Sequence, residues 1–235
     1  MKTICSTAAS LLLSVLFTLT GCIEEAQPVI TKDYDLKDFT KINLGDAFRI
    51  DIKKGSEFKV RAEGEQDDIA DLELKVENGT LTGRYRPGSK SHDRVRLRIE
   101  LPVLIFAHLH SATRSSLTGF NDAEQDLEIE VSGSSALSAN LDCKRLLIKV
   151  SGASEVILTG GAERLIADVS GKSLLKASNF PVEVCNVDVS GVSQSTVFAR
   201  LALQGTVNGN SKVRYFGNPT SIDVAVASDS DLIKQ

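Results

Sequence analysis

The chain has 235 residues, 42% of them apolar and 25% charged, with a formal net charge of −4. This is the composition of a globular protein with room for one large domain. The negative balance supplies no field that would gather nucleic acid, and with no Trp and only 5% aromatics the chain lacks a stacking platform for bases or sugars.

Residues 1–21 read as a leader and not as part of the fold. Lys2 gives a positive start, and Leu11 to Leu19 form an apolar core too short to span a bilayer. The leader closes on Leu19-Thr20-Gly21-Cys22, a pattern that resembles the lipobox of bacterial lipoproteins. The resemblance implies cleavage before Cys22 and thioether lipidation of that residue, so the expected partner is a membrane. An ordinary secretory signal followed by a chance Cys is the competing reading. Ile23 follows the Cys where Asp would signal retention, which by analogy with lipoprotein sorting points to the outer membrane. Residues 22–37 then read as a lipidated polar tether containing Pro28.

Residues 38–235 read as a single domain. Phe48, Ile50 and Ile52 alternate with charged residues, as do Phe58, Val60 and Ala62, with Gly55-Ser56 between them: a strand, a turn and a strand. Residues 66–70 suit a single helical turn. Leu72, Leu74 and Val76 alternate up to Asn78-Gly79, a strong hairpin dipeptide, and Thr80-Leu81-Thr82 returns. Val95, Leu97 and Ile99 form another strand after the Pro87-Gly88-Ser89 loop.

From about residue 109 one phrase recurs: Val131-Ser132-Gly133-Ser134-Ser135, Val150-Ser151-Gly152-Ala153-Ser154, Val169-Ser170-Gly171-Lys172-Ser173 and Val189-Ser190-Gly191-Val192-Ser193, with looser copies around Gly209, Ser228 and Ala112. Its second Ser falls at 115, 135, 154, 173, 193, 211 and 230, in steps of 18–20 residues. The apolar residues flanking each copy alternate with period two, the signature of strands. A coil of this length is too short for a crossover helix with its strands, which takes about 30 residues. The expectation is therefore an all-β chain: a right-handed parallel β-helix of about seven coils with a less regular β portion before it. Glycine in the phrase suits a turn at positive φ. The repeated Ser either stacks into a ladder, each hydroxyl donating to the next coil, or simply serves as a small turn-former.

Gly45-Asp46-Ala47-Phe48-Arg49-Ile50-Asp51-Ile52, the Asn78-Gly79-Thr80-Leu81 turn and the Val-Ser-Gly-x-Ser coils together resemble the bacterial family called putative auto-transporter adhesin, head GIN domain, over roughly residues 36–220. The resemblance implies a parallel β-helix-like fold on an envelope protein. It brings no catalytic residues to carry over.

Candidate sites are few. His108 and His110 share one face of a strand and align with Glu128 and Glu130 one coil on, a geometry compatible with a metal but thin in ligands, so no metal site is assigned. Arg84, Arg86, Lys90, Arg94, Arg96 and Arg98 form a basic run that suits an anionic surface, although Arg94, Arg96 and Arg98 also simply fill the polar parity of a strand. The outward column His110, Glu130, Lys149, Asp168, Asp188, Thr206, Ala225 stacks Asp168 beside Asp188, as paired carboxylates do in polysaccharide lyases and hydrolases. Coils this short leave no loops to wall a cleft. Cys143 and Cys185 lie in different phases of the repeat, so a disulfide is not favoured, and Cys185 reads as a buried apolar residue. No Ser-His-Asp pattern, phosphate loop or CxxC pair occurs, and no cofactor is implied. The expected function is a non-enzymatic, lipid-anchored envelope scaffold offering a β-helix face to a glycan or protein; the alternative is a polysaccharide lyase or hydrolase on the same scaffold.

Overall fold

The computed structural model describes residues 28–87 and 95–235. The leader, Cys22 and Arg94 lie outside them. In chain order the elements are β1 (Val29–Tyr34), β2 (Lys41–Leu44), β3 (Arg49–Lys54), β4 (Lys59–Glu65), α1 (Gln66–Asp71), β5 (Leu72–Glu77), β6 (Thr80–Tyr85), β7 (Arg96–Leu101), β8 (Phe106–Leu109), β9 (Arg114–Val131), β10 (Ala136–Val150), β11 (Glu155–Val169), β12 (Leu174–Val189), β13 (Gln194–Val207), β14 (Lys212–Phe216), β15 (Ser221–Val226) and β16 (Asp231–Lys234).

The repeat region is the parallel β-helix its period predicts. β9 to β13 pair with one another in sequence order, all parallel; β13 then pairs with β14 and with β15, and β14 with β16. Each long strand is one coil made of two limbs. In β10 the first limb buries Leu137, Ala139, Leu141 and Cys143, and the second buries Leu146, Ile148 and Val150. Between them Lys144 and Arg145 are exposed in succession, so the inward parity switches there and the chain turns its corner. Like residues stack on like: Leu146 on Leu165, and Val131, Val150, Val169, Val189 and Val207 in one column. Every such fully buried Val or Leu contributes about 1.5–3 kcal/mol, which is what offsets the ordering of so short a coil.

The Ser-Gly turn closes each coil. Gly133, Gly152, Gly171, Gly191 and Gly209 all have φ between +72° and +79°. The carbonyls of Gly133, Gly152, Gly171 and Gly191 accept the amide of the residue after the next coil's glycine, Ala153 to Gly133 and Lys172 to Gly152 both at 2.7 Å, so the hydrogen-bond ladder runs unbroken through these turns. Turns stacked this closely leave no space for a Cβ. Of the two readings of the repeated Ser, the buried serines behind the turns form a ladder, with its polarity reversed and interrupted at Ser173, whose hydroxyl has no partner. The hydroxyl accepts: the Ser135 amide donates to Ser154 Oγ at 3.3 Å, and Ser173 to Ser193 and Ser193 to Ser211 repeat the contact.

The first copy of the phrase sits two residues earlier than the Ser spacing predicts. Thr113, not Ser115, donates its amide to Ser135 Oγ, and Ser111, at φ +67°, occupies the glycine position. β9 carries extra residues opposite the Asn140/Leu141 and Cys143/Arg145 steps, so its coil is longer than the others.

The N-terminal portion extends the two limbs with different connections. β1, β4, β7 and β3 lead to the first limb of β9, and β5, β6, β2 and β8 lead to the second. β3 and β4, consecutive in sequence, do not pair; β7 lies between them, parallel to β3 and antiparallel to β4. β1 falls within residues 22–37, where a tether was expected, pairs antiparallel with β4 and covers that edge. Asn78 at φ +50° and Gly79 at φ +71° make the turn between antiparallel β5 and β6. α1 lays Ile69 into the core. Among the described residues no helix is long and apolar enough to cross a membrane.

Cys143 and Cys185 are both free and buried. Cys185 aligns with Leu165 and Leu203 in an inward column. Burial pushes both thiols up to about 12, helped at Cys143 by the nearby carboxylates of Asp126 and Asp142.

Candidate functional site

The second limb carries the outward column that the repeat predicts, with one substitution. Parallel pairing aligns Asn43, His108, Glu130, Lys149, Asp168, Asp188, Thr206 and Ala225. His108 stands where His110 was expected, and Phe106 instead of His108 lies opposite Glu128. The longer coil of β9 causes the two-residue offset.

His110 lies one step past the end of β8, its ring 4.8 Å from that of His108. His108 Nε2 hydrogen-bonds Ser132 Oγ at 3.1 Å, and His110 Nδ1 hydrogen-bonds Ser111 Oγ at 3.0 Å. The His110 ring covers Gly45, where a Cβ would collide with it. Burial, and then His108, hold the His110 imidazole below its usual range, with Asp46 opposing. Among the described residues no three His, Cys, Asp or Glu side chains gather to hold a metal.

Lys149 ties the middle of the column together, with Nζ 2.7 Å from Glu130 and 3.1 Å from Glu128. Their hydrogen bonds raise its pKa. Asp168 is in register with Lys149 on one side and with Asp188 on the other. Asp188 accepts the Thr206 hydroxyl at 2.7 Å. Both aspartates are exposed on a flat sheet.

The basic run lies elsewhere. Arg96 and Arg98 stand on β7, in the stack that leads to the first limb. Arg98 Nη1 lies 2.5 Å from Glu63, and Arg96 Nε 3.6 Å from Asp51. Arg84 bonds Glu73 at 3.1 Å across the β5–β6 hairpin. Among the described residues, Arg84, Arg96 and Arg98 are thus engaged in cross-strand pairs on two different strands, β6 and β7. The structure adds two cations that the sequence reading passed over: Arg49 on β3 and Arg114 on β9 stand in register with each other, and Arg49 also with Arg96. Each of the three immediately precedes an inward residue, Ile50, Leu97 or Ser115. That shared phase is the signal they offer, but only the neighbourhood of β7, β3 and β9 gives it meaning.

Further cross-coil pairs dress the outer surface: Glu155 with Lys176 at 2.7 Å, Glu183 with Arg200 at 3.1 Å, and Asp126 with Arg145. Exposed pairs of this kind add little stability each, but they fix which charges face outward unmatched.

No functionally curated protein matches the chain. Among solved structures, a putative adhesin from Bacteroides fragilis NCTC 9343 is similar at 21% identity and a TM-score of 0.83, with 89% of this chain and 98% of that one covered. A putative lipid binding protein from Parabacteroides distasonis ATCC 8503 is similar at 14% identity and a TM-score of 0.70, over 88% and 96%. A putative adhesin from Parabacteroides merdae ATCC 43184 is similar at 14% and 0.66, over the same shares. At these identities the likeness carries the fold. The family model described as putative auto-transporter adhesin, head GIN domain, matches residues 38–219. With most of its length inside that match and its coils closed by the Ser-Gly turns described above, the chain belongs to the head GIN domain family of putative auto-transporter adhesins.

Proposed function

We propose that this protein is a non-enzymatic binding scaffold of the bacterial cell envelope, held by lipid on Cys22 at the outer membrane, that presents a face of its β-helix to a glycan or protein partner. The family name and the adhesin names of structural relatives support the envelope and binding parts of this reading. The observation that carries it is the outer surface: a parallel sheet in register on which several ionisable groups are matched from coil to coil, as Lys149 is to Glu128 and Glu130 and Glu155 to Lys176. An enzyme aims such groups into a cleft, where desolvation perturbs them. Candidate contact residues are His108, His110, Asp168 and Asp188 on the second limb, Arg96 and Arg98 on β7, and Arg94, which lies outside the described residues. No cofactor enters the proposal.

A second reading is favoured by one feature: Lys149, Asp168 and Asp188 stand in register on neighbouring coils, placing a cation beside two carboxylates. On that reading the protein is a polysaccharide lyase or hydrolase. Glycan-array binding measured together with release of new reducing or unsaturated ends separates the two. Binding without product supports the scaffold; product lost in Asp168→Ala or Asp188→Ala overturns it. Labelling of cells with radioactive palmitate tests the anchor, which requires incorporation in the natural chain and none in Cys22→Ser.

A further inference from the structure

The three arginines in register on β7, β3 and β9 are a departure from the charge matching elsewhere on the rod. Like charges directly opposite on paired strands repel. Asp51 sits 3.6 Å from Arg96, but it also accepts the Ser116 hydroxyl at 2.8 Å. Glu155, the next acid along, is held by Lys176 at 2.7 Å. Among the described residues Arg49 and Arg114 make no ion pair, although both are exposed and neighbours at one strand spacing, about 4.8 Å.

Beside them the surface is hollow. In register after Arg114 comes Ala136, so the stack of long side chains is interrupted for one coil. A concavity of about 410 Å³ opens there, lined by Arg49, Arg96 and Arg114, by the small residues Ser116, Ala136 and Ser138, and by the carboxylates of Asp51 and Glu155, which Ser116 and Lys176 already engage. Ser115 lines the same hollow. It is 9% exposed, its hydroxyl has no hydrogen-bond partner, and its inward neighbours Ile50 and Leu137 are apolar.

We propose that this hollow binds an oxyanion, carboxylate or sulfate, carried on an acidic polysaccharide, with Arg49 and Arg114 as the principal contacts and Arg96 beside them. The inference rests on the reading of the rod as a scaffold facing a glycan and names the chemistry of that glycan. Two planar guanidiniums one strand apart present parallel N–H groups to the oxygens of a single anion, and its charge relieves their repulsion. The flat, hydroxyl-bearing floor suits a sugar ring. The charged and hydroxyl-bearing residues beside the apolar Ala136, Leu137 and Ile157 favour a polysaccharide over a membrane.

The test measures binding of the full chain to polygalacturonate and to heparin, with fully methyl-esterified polygalacturonate and dextran as neutral probes and phosphatidylglycerol vesicles as the lipid probe. The expected result is binding to the acidic polymers, weakened by salt, at least tenfold weaker in Arg49→Gln and in Arg114→Gln, and unchanged in Arg200→Gln, which removes an equal charge from the Glu183 pair. The double variant should melt at or above the parent temperature, because a repulsion has been removed, and should lose the rise in melting temperature that polygalacturonate gives the parent. Parent binding with no preference for the acidic polymers overturns the proposal, as does a double variant within twofold of the parent. Arg49-dependent binding to the vesicles that exceeds binding to polygalacturonate overturns it in favour of a membrane surface. A neutral glycan or protein ligand retained by the double variant sinks the anion site while leaving the scaffold reading intact.

Discussion

Replacing Gly171 by alanine tests the stacked turns more directly than any other single change. Gly171 has φ +79°, and a Cβ built on it would stand 2.6 Å from the Gly152 carbonyl oxygen and 3.1 Å from its amide nitrogen. Two penalties add. An L-residue in the left-handed region costs about 1–2 kcal/mol. Forcing backbone atoms apart in a packed interior costs about 1–3 kcal/mol more, since the obstacle is a neighbouring main chain that cannot swing aside as a side-chain tip would. Gly79 separates the two. It has φ +71°, yet the nearest atom to its Cβ would be the Asp38 carbonyl oxygen at 3.9 Å, an ordinary contact. Gly79→Ala should therefore lose about 1–2 kcal/mol and Gly171→Ala about 2–5 kcal/mol. Urea titrations followed by far-ultraviolet circular dichroism read both, the slope showing whether the rod still unfolds as one unit. Equal losses in the two variants would refute the claim that glycine is required by close approach of successive turns as well as by its dihedral freedom.

The serine column supplies a second contrast. Ser154→Ala removes the acceptor of the Ser135 amide and should cost about 1–3 kcal/mol, whereas Ser173 Oγ has no partner and Ser173→Ala should be close to neutral in the same titration. With burial pushing both thiols to about 12, Cys143 and Cys185 should resist an aromatic disulfide reagent at pH 8 in the native protein and react at once in urea, with Cys143→Ala and Cys185→Ala each losing one equivalent. The imidazole of His110 is held below its usual range when folded, so the unfolded chain takes up a proton first as pH falls. Its contribution is full above about 6.5 and is lost as pH drops toward the depressed folded value, so stability should fall across that window in the parent and fall less in His110→Gln. Lys149→Met should change the unfolding free energy from the urea titration by less than about 1 kcal/mol, and by less still at high salt, because its pairs with Glu128 and Glu130 are exposed.

The coils were legible because each one repeats its own contacts. Leu146 beneath Leu165, or Val150 beneath Val169, can be read from spacing alone once the period is found. The first coil was misphased for a local reason: Ser115-Ser116 imitates the phrase, while the true position is filled by Ser111-Ala112-Thr113, with Ser111 holding positive φ in place of glycine. The N-terminal strands were found as strands but not as neighbours. Alternation in Phe48–Ile52 and Phe58–Ala62 says which faces are buried, not that β7 inserts between the two. Long-range order of that kind is set by the whole core and leaves no mark on the local pattern. The arginine column was hidden for the same reason, since Arg49 and Arg114 are 65 positions apart in sequence and become adjacent only through that order.

The uniform rise of the Ser-Gly turns makes the rod modular in length. Excising residues 152–170 would join Ser151 to Gly171, restoring Val-Ser-Gly at the seam and setting β10 directly beneath β12. Leu146 would then meet Cys185 and Val150 would meet Val189, the same kinds of partner each has now. The length of the rod is thus adjustable one winding at a time: Arg49 and Arg114 would keep their register, while the hollow beside them would exchange Glu155 and Ile157 for Leu174 and Lys176.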